Sequence, residues 1–120
     1  MKTSGSKFVP PYDSKEKHLP GYNFCGPGTN VTRRLQEGVQ PMNALDAACR
    51  RHDIELETRG PQTVGSSPKA LRASDMKLAR AAKAIALKTM DAKLRSEAWL
   101  VHRAMKLNRW RKSRGGRVPR

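Results

Sequence analysis

The sequence is poor in most of what builds a large apolar core. Aromatic residues fill 5% of its 120 positions and the apolar set 37%. A single modest domain made from so little usually needs a staple, whether a disulfide, a metal or a partner. No apolar run is long enough to cross a bilayer, and the opening MKTSGSKFVPPYDSKEKH lacks the apolar segment of a secretory signal. Cysteine occurs twice, at Cys25 and Cys49, which excludes a disulfide-rich scaffold. One intramolecular pairing is possible; a cytosolic setting would keep the thiols reduced and an extracellular one would allow a bridge.

Acidic residues are scarce too, at 10 against 25 Lys and Arg, for a formal net charge of +15. The excess is uneven. Residues 1–68 carry nine Lys/Arg and seven Asp/Glu, a net +2, whereas residues 69–120 carry sixteen and three, a net +13. The first half is nearly neutral and the second is a polycation, which seeks nucleic acid or an anionic lipid surface.

What is present divides into segments. Residues 1–19 are polar and interrupted by Pro10 and Pro11, and read as an extended, poorly ordered arm. Residues 21–41 are rich in Gly and Pro, with one helical turn expected over 31–36. A helix then follows Pro41. Asn43 suits its N-cap, Asp46 suits its positive end, and Leu45, Cys49, His52 and Leu56 recur at helical spacing up to a stop near Gly60-Pro61. A second, alanine-rich helix starts at Pro68 and meets no Gly or Pro through Trp110. Leu71, Leu78, Ala82 and Ile85 share one of its faces; whether it breaks near Asp91 stays open. The expected fold is all-α, with residues 20–90 as the main unit and 91–120 as a basic helical extension and tail.

Two short stretches carry chemistry. FCGPGT, residues 24–29, sets up a tight turn whose backbone atoms can face inward. DAACRRHD, residues 46–53, places Cys49, His52 and Asp53 at i, i+3 and i+4 along one side of a helix. His52 and Asp53 themselves point about 100° apart and serve adjacent sites. Were Cys25 bridged to Cys49, the turn would lie one helical turn before Asp53. Backbone carbonyls and a carboxylate would then form an all-oxygen site of calcium type. Asp75 lies as far beyond the loop between the helices as His52 lies before it, so in an antiparallel hairpin the two are level. Asp75 can then accept from one nitrogen of His52 and leave the other as a base.

These residues resemble the secreted phospholipase A2 superfamily. FCGPG is similar to its calcium loop, written YCGxG, and DAACRRHD to its catalytic helix, D-x-x-C-x-x-H-D. SDMKLARAA around Asp75 resembles the family's second active-site Asp on an antiparallel helix. The compact spacing is closer in type to the phospholipase domain of parvovirus minor capsid proteins, Y-x-G-P-G followed by D-A-A-x-x-x-H-D.

The resemblance covers residues 20–90 and implies two antiparallel helices with an N-terminal calcium loop tied on by a Cys25–Cys49 disulfide. It implies Ca2+ held by the carbonyls of Phe24, Gly26 and Gly28 and the carboxylate of Asp53, with Gly26 N–H in the oxyanion site. His52 and Asp75 would be the catalytic pair, and the sn-2 ester of a membrane phospholipid the substrate. A virion, extracellular or host endosomal membrane setting, with capsid proteins as partners, is implied as well.

There are departures. Leu56 stands where the family often has a Tyr that bonds the active-site Asp, so Asp75 is expected to be held less firmly. Thr29 stands where secreted enzymes usually have Gly.

Rival readings remain beside this one. Cys25, Cys49, His52 and His18 could in principle hold zinc, although the spacing fits no common pattern. Trp99, Val101, Met105 and Trp110 make either a membrane-facing stripe or a core contact. Arg103, Lys106, Arg109, Arg111, Lys112, Arg114, Arg117 and Arg120 form an acid-free run suited to nucleic acid or anionic lipid. That run supports the alternative of a basic virion or nucleic-acid-binding protein on an inactive phospholipase scaffold.

Overall fold

A computed structural model of the chain describes residues 7–107. Four helices follow in order: α1 (Val31–Gln36), α2 (Ala44–Leu56), α3 (Pro68–Lys88) and α4 (Ala92–Lys106), and no strand occurs among the described residues. Trp110 and the cations from Arg109 onward lie outside the described residues, as does the start of the N-terminal arm.

Each helix starts on a short polar side chain that takes up an otherwise unbonded N–H. Asn30 accepts from Arg33 N, Asn43 from Asp46 N, Ser67 from Ala70 N with Pro68 following, and Asp91 from both Lys93 N and Leu94 N. The Asp91 cap settles the question left by the alanine-rich stretch. The chain leaves helical geometry at Thr89 and starts afresh at Ala92.

Small side chains let α3 and α4 approach closely. Leu78, Ala79, Ala82 and Ala86 of α3 are buried together with Ala98, Val101 and Met105 of α4. The two helices run in opposite senses. Arg72 donates to the carbonyls of Met105 and Lys106 at the end of α4, and His102 Nδ1 donates to Ala79 O at 2.9 Å. The guanidinium satisfies carbonyls at the negative end of α4, where a cation is favoured. Val101 and Met105 are therefore core, and Trp99 is exposed. The expected extension from residue 91 packs into the common core. It is also joined to the N-terminal region, where Tyr22 Oη donates to Glu97 at 2.6 Å.

Residues 7–19 are pinned rather than poorly ordered. Arg34 is fully buried, donates to both Glu16 carboxylate oxygens, and donates again to the carbonyls of Val9 and Pro10. Glu16 also accepts from the Tyr12 and Asn30 N–H groups. A buried ion pair persists only when its remaining hydrogen-bonding capacity is met, and these backbone partners meet it. No helix among the described residues is long and apolar enough to cross a membrane.

Candidate active site

One face of α2 organises the site. Asp46, Cys49 and Asp53 lie three and four positions apart, along two turns of the same face. Asp46 is fully buried and accepts from Phe24 N at 2.7 Å, Asn23 N at 3.1 Å and Met42 N at 2.8 Å. One turn on, Cys49 is bonded to Cys25. The segment 23–25 therefore ascends α2 from Asp46 toward Asp53. The bridge spans a separation of 24 residues and contributes about 3 kcal/mol in the loop-entropy account. It also removes both thiols from the rival zinc set.

The stretch beyond Cys25 is clamped by residues 15–19. Leu19 N donates to Cys25 O at 2.8 Å and Lys17 N to Pro27 O at 3.0 Å. The carbonyls of Phe24 and Gly26, which precede these two in turn, both approach the Thr29 hydroxyl instead, at 3.4 and 3.1 Å. Successive carbonyls from Phe24 to Pro27 thus go alternately to Thr29 and to the segment 15–19. The crossing is close. A Cβ on Gly26 would run into the Lys17 carbonyl oxygen, and one on Gly28 into that of Lys15. Gly28 also has φ 79°, which disfavours any side chain.

His52 and Asp53 are each 5% exposed, and Asp75 is fully buried. His52 Nε2 lies 2.8 Å from Asp75 Oδ1, and His52 Nδ1 lies 3.7 Å from Asp53 Oδ1. A carboxylate can only accept, so Nε2 carries the proton and Nδ1 is the basic nitrogen of the neutral ring. Burial opposes charging the imidazole, but the Asp53 and Asp75 carboxylates outweigh it and hold its pKa above the ordinary value. A second tie joins the same helices. Ser74 Oγ donates to Glu55 at 2.7 Å and Lys77 Nζ to its other oxygen at 2.9 Å. Leu56 is buried and offers no hydrogen bond at the position where the resemblance has Tyr.

The structure brings together Cys25, Cys49, His52, Asp53 and Asp75, with Phe24 and Gly26 beside them on the bridged loop. Among the described residues no three His, Cys, Asp or Glu side chains gather as a metal-ligand cluster. Arg103 and Lys106 are exposed on α4; the other six cations expected to bind an anionic surface lie outside the described residues. Sequence reasoning assigned Asp46 only to the helix dipole and gave Glu16 and Arg34 no role. For Asp46 the signal was present: it stands seven positions before Asp53, two turns along the same helix face.

Residues 15–63 match the family model of the Phospholipase A2-like domain, so this stretch is similar to that family. Comparisons with curated proteins and with solved structures returned no match. The matched region holds the glycine turn and the His-Asp helix but ends before Asp75, so Asp75 joins the site through its geometry with His52.

Proposed function

We propose that this protein is a calcium-dependent phospholipase A2 that hydrolyses the sn-2 ester of membrane phospholipids. The observation that carries the reading is the buried His52–Asp75 hydrogen bond of 2.8 Å, beside Asp53 and a glycine turn bridged to the same helix. The order of contacts supports the antiparallel helix pair: His52 reaches Asp75, and Glu55, three residues later, reaches back to Ser74.

The residues present fit a hard cation. The Phe24 and Gly26 carbonyls lie on the same edge of the loop, where both accept from the Thr29 hydroxyl, and the segment 23–25 ascends α2 from Asp46 to Cys49, one turn before Asp53. Phe24 O, Gly26 O, Gly28 O and Asp53 would be the ligands, an oxygen set of calcium type. A calcium ion bound there would act as a Lewis acid toward the negative charge that develops on the ester carbonyl oxygen.

The chain's own groups do the rest. Asp75 holds the His52 Nε2–H and fixes the ring, which leaves Nδ1 to accept a proton from water as the water oxygen adds to the ester carbonyl carbon. The Gly26 N–H donates to the oxyanion. As the ester C–O bond breaks, Nδ1–H returns its proton to the departing glycerol oxygen, and the products are a lysophospholipid and a fatty acid. The neighbouring carboxylates that raise the proton affinity of His52 make it a stronger base for this step.

A membrane-breaching role from a virus particle, with capsid proteins as partners, is supported by the parvovirus-type motif spacing. Residues 20–90 would supply the catalytic groups. Arg103 and Lys106 would begin an anionic-surface contact that continues along the basic residues to Arg120.

The test is hydrolysis of sn-2-labelled vesicles, zwitterionic and anionic, with calcium and then with excess chelator. We expect fatty-acid release that needs calcium and falls at least about a hundredfold in His52→Ala. Release indifferent to the chelator would remove the metal assignment. No release by folded protein on either vesicle would favour a basic binding protein on a silent scaffold.

A further inference from the structure

Thr29 is 2% exposed and sits where three polar atoms meet. Its Oγ1 lies 3.1 Å from Gly26 O, 3.4 Å from Phe24 O and 3.1 Å from His18 Nε2. The hydroxyl has one hydrogen, which the two carbonyls share as acceptors. With that hydrogen committed, the hydroxyl oxygen accepts from His18 Nε2–H. The ring is then fixed in one tautomer. Its Nδ1 is buried with no hydrogen-bond partner, so the ring makes its one hydrogen bond to Thr29.

We infer that Thr29 and His18 form a positioning pair for the cation loop, a role outside both the catalytic pair and the ligand set. The inference rests on the calcium reading above. Two carbonyl oxygens turned toward one point repel each other, and a shared donor between them offsets that repulsion before any cation arrives. Each carbonyl oxygen has two lone pairs, so accepting from Thr29 leaves one for a metal. The hydroxyl therefore orders the ligands without using them up.

The opposite edge of the loop is already fixed through Cys25 O and Pro27 O by the segment that carries His18. That segment thus holds one edge through its backbone and the other through a side chain. A glycine at position 29, usual in the enzymes this sequence resembles, could not do the second.

The experiment is calorimetric titration of the full-length, disulfide-intact protein with Ca2+, for wild type, Thr29→Val, Thr29→Ser and His18→Ala. Thermal unfolding in chelator is measured alongside. Valine keeps the shape and loses the hydroxyl; serine keeps the hydroxyl. We expect Thr29→Val to bind Ca2+ about five- to tenfold more weakly, the fold-change of one modest hydrogen bond. Thr29→Ser should stay within about twofold of wild type, and His18→Ala should fall between. A purely structural role would lower the unfolding temperature of Thr29→Val in chelator and leave the affinity of its folded fraction unchanged, which would overturn the proposal. So would equal or tighter binding by Thr29→Val. A wild type that takes up no Ca2+ would instead sink the calcium reading and this pair with it, a result distinguishable from the other two.

Discussion

The region around α1 and α2 and the pair α3–α4 are built on different physics. The first is nearly neutral and is held by buried polar bonds: the Glu16–Arg34 pair, the three N–H groups on Asp46, the Asn23 side chain bonded to two carbonyls, and the disulfide. The second is strongly basic outside and is held by close contact of alanines, Leu78, Val101 and Met105. Directional bonds fix positions to within a hydrogen-bond length, whereas small apolar contacts mainly fix proximity. His52 and the glycine turn, the groups of the proposed site, belong to the first region. Asp75, from the second region, lies in the first half of α3, where Glu55–Ser74 and His52–Asp75 tie the regions together.

This contrast can be broken from either side. The largest effect should come from Arg34→Met, which leaves the Glu16 carboxylate buried without its ion partner. A loss of about 3–5 kcal/mol is expected, read by denaturant unfolding, and the Val9 and Pro10 carbonyls lose their donor as well. Retention of full stability would show that this network is not what pins residues 7–19. A smaller effect, about 1–3 kcal/mol, should follow Ala82→Leu, which forces a larger side chain into a fully buried position of the second region. Because that packing is remote from His52, hydrolysis by the folded fraction should change little, and a selective loss of activity would contradict the division.

The mildest test leaves the sequence intact. Burial pushes the Glu16 carboxyl up, but its bonds to Arg34 and to the Tyr12 and Asn30 N–H groups hold it below the usual value. A depressed carboxylate stabilises the fold above its unfolded pKa and loses that contribution as pH falls through the folded one. Stability should therefore decline below about pH 4.3. Glu16→Gln should flatten the decline from a lower starting point.

Local features of the fold were legible in the sequence. Asn43, Pro68 and the Cys49-His52-Asp53 spacing act within one or two helical turns, so their consequences could be read from a short stretch. The level placement of His52 and Asp75 followed from counting residues to the loop between their helices. The structure puts the two in a hydrogen bond. What escaped depends on distant pairing. Arg34 looks like one cation in VTRRLQ until a carboxylate 18 residues earlier closes on it. His18 and Thr29 meet only because residues 15–19 cross the glycine turn. The break at Asp91 was undecidable for another reason: the stretch has no Gly or Pro, and a helix can continue or recap at Asp with similar local cost.

The crossing at Gly26 and Gly28 also bears on how a mutational scan of this protein would look. Both positions are closed to every side chain, alanine included, because backbone oxygens of Lys17 and Lys15 occupy the space a first carbon would need. Saturation libraries should return glycine alone at each, under selection for folding as readily as under selection for activity. Intolerance there would have the appearance of a catalytic signature while measuring where two stretches of main chain pass over one another. Tolerance at Thr29, whose hydroxyl rather than its backbone is in question, would discriminate between the two.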